Sequence, residues 1–132
     1  MFVLALSCAA ASHRFLEREG IYGRPSLEEK YRLVGEWFKS NTSERVVVLS
    51  GLHSGTIRMY GDRDTVRWDE IPEHDLTATL RALIDAGREP YLALDLPSEP
   101  PLFEARFRGQ PLHMEQIARV RVVNIYRFMS AY

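Results

Sequence analysis

The sequence predicts an α/β fold. The expected form is a small three-layer domain, with a largely parallel sheet of about four strands flanked by helices and preceded by an apolar N-terminal helix. Three observations lead there. "RVVVLSG" carries four apolar, mostly β-branched residues in a row, the pattern of a strand covered on both faces. Strand-like runs alternate with stretches whose apolar residues recur at helical spacing. The chain has 132 residues, 45% of them hydrophobic, enough for one real core and too few for two.

The formal net charge of −1 gives no electrostatic basis for binding nucleic acid. The single cysteine, Cys8, cannot form an internal disulfide and says little about redox compartment.

Two regions are expected: residues 1–17 as an apolar helix and 18–132 as one α/β soluble domain. "MFVLALSCAAASHRF" opens with an uncharged run from Phe2 to Ala11, followed at once by His13 and Arg14. A bilayer span needs roughly 20 residues, so this run is too short to cross alone. A secretory signal has basic residues before its apolar run, and none stands here. Two readings stay open: the end of a transmembrane helix, or a plain buried or partner-packed amphipathic helix.

"GIYGRP" is a loop. Ser26 and Glu29 have capping-box spacing, and Leu27, Tyr31, Val34 and Phe38 share one face of a helix near 27–40. The "RVVVLSG" strand follows, over 45–50. "GDRD" is a turn, and 65–68 a short second strand. Leu76, Leu80, Leu83 and Ile84 mark a helix near 74–86, with Gly87 beyond its end. "PYLALD" is a third strand, over 90–95. Ser98 is placed to cap a short helix whose prolines suit a first turn. "RVRVVNIY", residues 119–126, is a last strand, with Arg119 and Arg121 alternating against Val120 and Val122.

The turn "SGLHSGT" admits three chemistries. A nucleophile elbow needs G-x-S-x-G, but Gly51 to Gly55 read G-x-x-S-G, one place late. A phosphate loop needs a lysine after its second glycine, and none follows Gly55. A strand end leading into a helix start can still bind an anion through free backbone N–H groups. The plainest reading is structural. Gly51 and Gly55 permit the turn, Ser54 caps the next helix, and His53 bonds a neighbouring strand end. The four histidines show no metal-ligand spacing, and no cofactor motif stands out.

Ligand sites in such sheets gather outside the carboxyl ends of the strands. His53, Ser54, Arg67, Trp68, Asp69, Asp95 and Glu99 all follow expected strand ends, so they form the candidate polar cluster. Arg67 is expected to pair with Asp69, Asp95 or Glu99, because a buried guanidinium needs a partner. No residue is assigned a catalytic role.

Five ordered segments carry a resemblance: "LEEKYRLVGEWF", "ERVVVLSGLHSGTIRMYGDRDTVRWD", "DLTATLRALIDAGREPYLALD", "SEPPLFEARF" and "VVNIY". Together they resemble the soluble C-terminal region of bacterial integral-membrane glycosyltransferases of family 39, relatives of protein O-mannosyltransferases and lipid A aminoarabinose transferases. The most specific pieces are His53-Ser54-Gly55, Tyr60, Arg67-Trp68-Asp69, Gly87 to Tyr91, and Glu99 with Phe103 and Arg106-Phe107. The resemblance spans roughly Glu17 to Tyr126. It implies an extracytoplasmic domain behind the last transmembrane helix, with "MFVLALSCAAASHRF" as the end of that helix. It also implies partners: the membrane portion or lipid through the N-terminal helix, and a glycan or acceptor.

Such enzymes use a polyprenyl-phosphate-linked sugar and catalyse with acidic residues early in the membrane portion. This sequence lacks that portion, so transfer by the chain alone is not expected. The leading expectation is therefore an accessory, non-catalytic domain. The alternative is an independent small α/β hydrolase or transferase using Ser54 with a histidine and an acid.

Overall fold

A computed structural model of the chain describes residues 24–129. The expected N-terminal helix over 1–17, and its boundary with the domain, lie outside the described residues.

The elements run α1 (Arg24–Asn41), β1 (Val46–Ser50), α2 (Ser54–Gly61), β2 (Asp64–Val66), a 3₁₀ turn (Trp68–Glu70), α3 (Leu76–Asp85), β3 (Glu89–Asp95), α4 (Glu99–Arg106), β4 (Met114–Val120) and β5 (Val123–Phe128). They build an α/β domain around one five-stranded sheet of order β2-β1-β3-β5-β4. β1 pairs in parallel with both β2 and β3, while β5 and β4 continue the sheet antiparallel.

The expectation of a largely parallel, four-stranded sheet is thus corrected to a mixed sheet of five. The expected single strand over 119–126 is a hairpin. Val120 pairs with Val123, and the chain reverses through Arg121, whose φ is 56°. The arginine–valine alternation runs straight across the reversal, and a non-glycine residue takes the left-handed position, so no turn signal marks it. β2 also ends earlier than expected. Trp68 belongs to the 3₁₀ turn rather than to the strand. α1 already runs at Arg24, placing the Ser26–Glu29 spacing inside the helix rather than at its cap.

β1 is buried at all five positions because it lies inside the sheet with helices on both faces. Alternate strand residues supply two cores. Val46, Val48, Tyr91, Ala93, Val123 and Ile125 pack with Val34 and Phe38 of α1 and Ile57 of α2. Leu49, Leu92, Leu94 and Phe128 pack on the other face with Leu76 and Leu80 of α3 and Phe103 of α4.

α1 and α2 touch backbone to backbone. A Cβ on Gly35 would stand 2.6 Å from Tyr60 Cβ and 2.9 Å from the Thr56 carbonyl oxygen. Below this crossing, buried Arg63 donates to the carbonyls of Lys39, Thr42 and Asp62 and to the Thr42 hydroxyl. It thereby satisfies orphan carbonyls at the end of α1, with no carboxylate partner among the described residues.

Gly35→Ala is expected to destabilise the domain by about 1–3 kcal/mol, although alanine is the better helix former. A urea titration checks this. An unchanged or raised midpoint would mean that the two helices do not meet in this way.

Candidate functional site

Parallel pairing brings the carboxyl ends of β1 and β3 side by side, with Ser50 opposite Ala93. β1 leads through Gly51 and Leu52 to His53, which occupies the N-cap of α2. β3 ends at Asp95, and a short loop leads to Glu99, the first residue of α4. His53, Asp95 and Glu99 therefore meet at the strand ends, all of them buried.

The Glu99 carboxylate bridges the two strand ends. Its Oε2 accepts from the Asp95 N–H at 2.7 Å, and its Oε1 accepts from the Leu52 N–H at 3.0 Å. Gly51 makes room for it. A Cβ there would fall 2.3 Å from Glu99 Oε1 and 3.2 Å from Trp68 Nε1. The requirement is close approach rather than an unusual backbone angle.

Asp95 gathers the second half of the site. Its Oδ2 accepts from Lys30 Nζ at 2.7 Å and lies 2.9 Å from His53 Nε2. An ionised carboxylate can only accept, so the His53 proton sits on Nε2 and Nδ1 carries a lone pair. Tyr31 packs edge-on against the imidazole at 5.1 Å, and Lys30 lies over the Tyr31 ring at 5.0 Å. The His53 N–H donates to Ser50 Oγ at 3.2 Å. Among the described residues, two buried polar atoms keep no hydrogen-bond partner: His53 Nδ1 and Trp68 Nε1. Burial pushes the His53 imidazole below its ordinary value, against the opposing pull of the Asp95 hydrogen bond.

The seven residues expected at the strand ends divide into two groups. His53, Asp95, Glu99 and Trp68 form the buried group. Trp68 is anchored there by an edge-to-face contact with Phe103 at 5.5 Å. Arg67, Asp69 and Ser54 lie outside it.

Of the partners expected for Arg67, the structure shows Asp69. Nε donates to Asp69 Oδ1 at 3.1 Å, and Nη2 to Asp69 Oδ2, with Glu70 nearby at 3.4 Å. This pair is exposed, so the reason given for it, burial of the guanidinium, does not apply. The hydrogen bond to Arg67 holds the Asp69 carboxyl below the usual carboxylate range and raises the guanidinium in turn.

Ser54 is the first residue of α2 rather than its cap. Its Oγ donates to the Gly51 carbonyl at 3.3 Å, and no side chain caps the helix. Ser98 likewise occupies the N-cap of α4 without a side-chain bond. Ser54 and Arg67 wall a cleft of about 420 Å³ beside β2, shared with Arg58 and Thr65.

Lys30 and Gly51 complete the site. Lys30 lies 65 residues from Asp95 and carries no local signal in the sequence, whereas Gly51 reads there as a turn residue.

As a serine hydrolase the arrangement is incomplete. Among the described residues, no bond joins Ser54 Oγ to a histidine. The proton-bearing nitrogen of His53 faces Asp95, and the other is sealed in the core. Among the described residues no group of three histidine, cysteine, aspartate or glutamate side chains is placed to hold a metal ion, and no helix is long and apolar enough to cross a membrane. No protein family, curated protein or solved structure matches the chain.

Glu99→Ala strands two N–H donors. The expected loss is about 2–5 kcal/mol, read from chemical denaturation. A loss below about 0.5 kcal/mol, the ordinary range of surface changes, would contradict the bridge.

His53 sets an acid limit. Unfolded, it takes up a proton near pH 6.5; folded, only at lower pH. The unfolded chain therefore binds more protons in that window. Stability present above about pH 6.5 is lost as pH falls toward the folded value. Denaturation midpoints at descending pH should drop in the wild type and drop less in His53→Gln. Equal slopes for the two proteins would exclude His53 as the source.

Proposed function

We propose that the chain is an accessory, non-catalytic domain of, or derived from, a membrane glycosyltransferase that uses a polyprenyl-phosphate-linked sugar. The observation that carries the non-catalytic half is the engagement of the strand-end crevice by the protein's own groups. Glu99 is occupied by two backbone amides, Asp95 by Lys30 and His53, and Ser54 by the Gly51 carbonyl. These side chains are turned to holding the fold, and none is poised as nucleophile and base.

The glycosyltransferase half rests on the resemblance of five ordered segments to the soluble region of family 39. His53, Trp68 and Glu99, among its most specific positions, are those around which the buried strand ends are organised. In this reading the domain sits on the extracytoplasmic face of the membrane. The uncharged run Phe2–Ala11 contacts the membrane portion or lipid. The domain's role is to support the transferase and its acceptor.

The test has two arms. Deleting the chain in its source organism should abolish sugar transfer from the polyprenyl-phosphate donor in isolated membranes, and supplying it again should restore transfer. The purified chain should neither transfer sugar nor cleave generic esters. Ester hydrolysis by the purified chain that disappears in Ser54→Ala would overturn the proposal in favour of a small hydrolase. Unchanged transfer after deletion would overturn it as well.

A further inference from the structure

α1 presents two faces. Val34 and Phe38 turn to the sheet, while Leu33, Glu36, Trp37 and Ser40, at helical spacing, face the β4–β5 hairpin. Between α1 and the hairpin lies an open groove of about 450 Å³, whose polar and aromatic walls are Glu36, Trp37, Ser40, Asn41, Arg119 and Arg121.

Trp37 is half-buried. Its ring stands nearly perpendicular to that of Phe38, with centroids 5.2 Å apart, which fixes the indole against the core.

Among the described residues, the hydrogen-bonding groups around it are largely unspent. Asn41 uses Nδ2 on the Trp37 carbonyl and leaves Oδ1 open. Glu36 uses Oε1 on Arg32 and leaves Oε2 open. Arg119 uses Nε on the Arg121 carbonyl and leaves both terminal nitrogens open. Among the described residues, neither the Ser40 hydroxyl nor the Trp37 indole N–H has a partner.

Charge is uneven as well. Glu36 is paired with Arg32, and Arg121 lies 3.5 Å from Glu29, but Arg119 has no carboxylate beside it among the described residues.

We infer that this groove is a binding site for an acidic saccharide, a sugar chain bearing a carboxylate. The fixed indole supplies one flat apolar wall, and both donors and acceptors line the groove with it. A polyol satisfies both kinds of group at once, because each hydroxyl donates and accepts. A purely anionic ligand, which only accepts, would leave Asn41 Oδ1 and Glu36 Oε2 unmatched. Arg119 takes the carboxylate through its paired terminal N–H groups. The groove is open and has one aromatic wall, so binding is weak, on the order of 1 mM. As the acceptor contact of the accessory domain this site rests on the function proposed above; the binding itself does not, and is measured on the chain alone.

Two-dimensional ¹H–¹⁵N NMR of the whole chain provides the test. The two tryptophans give two indole signals, one from the groove and one from buried Trp68. Trigalacturonate should move the Trp37 signal saturably and leave that of Trp68 in place. Maltotriose, a neutral trisaccharide, should bind about tenfold more weakly or worse. Arg119→Met should remove the preference for the acidic sugar, and Trp37→Phe, whose binding is read from the backbone amide signals of the groove, should weaken both. The amide spectrum of each variant shows that it remains folded.

No shift of the Trp37 signal with either sugar would overturn the inference. So would equal binding of maltotriose, or an equal response to citrate, which would show a simple anion site. None of these outcomes touches the deletion experiment above, so the two readings fail separately.

Discussion

One carboxylate holds the strand ends of this domain together. Glu99 accepts an N–H from Leu52, beyond β1, and another from Asp95, at the end of β3. A carboxylate with two backbone donors is well stabilised despite burial. The approach is open only because residue 51 is glycine. Around this bridge, Asp95 is free to face inward and collect Lys30 from α1 and His53 from the start of α2. One cluster thereby ties β1, β3, α1, α2 and α4 at a single end of the sheet. The crevice where an α/β sheet ordinarily receives its ligand is occupied by the protein's own side chains.

That occupancy separates two surfaces that the strand-end rule merges. In the buried group Glu99 and Asp95 have their bonds made internally, and only His53 Nδ1 and Trp68 Nε1 stay without a partner among the described residues. The unspent hydrogen-bonding capacity lies elsewhere, along the α1–hairpin groove, where Asn41, Glu36 and Arg119 each keep an open atom. The proposed accessory role would use the two surfaces separately, the inner cluster for the fold and the outer face for contacts.

The legible parts of the fold were those in which burial decides the pattern. Val46 to Leu49 read as an inner strand, and Val34 and Phe38 as part of the inner stripe of a helix. The hairpin was not legible, because the reversal at Arg121 uses a residue type that rarely takes φ of 56° and interrupts no alternation. Trp68 looked like a strand residue since it continues an apolar–polar alternation, yet the chain turns there. In the candidate site, His53, Asp95 and Glu99 were legible as neighbours because strand order alone brings strand ends together. Their bonding was not. Nothing local says that Glu99 reaches two backbone amides, or that Lys30 crosses from α1 to Asp95. Arg67 met Asp69, two residues away, because a nearby exposed partner needs no reorganisation of the chain.

The closure of the strand ends is measured most directly by native-state amide hydrogen exchange at Leu52 and Asp95. If Glu99 bridges them within a sealed cluster, both amides exchange only through large-scale opening, with protection close to that of the inner-strand amide of Val48. Rapid exchange at both, while Val48 stays protected, would mean that the strand ends are open to water, and would contradict the closed cluster.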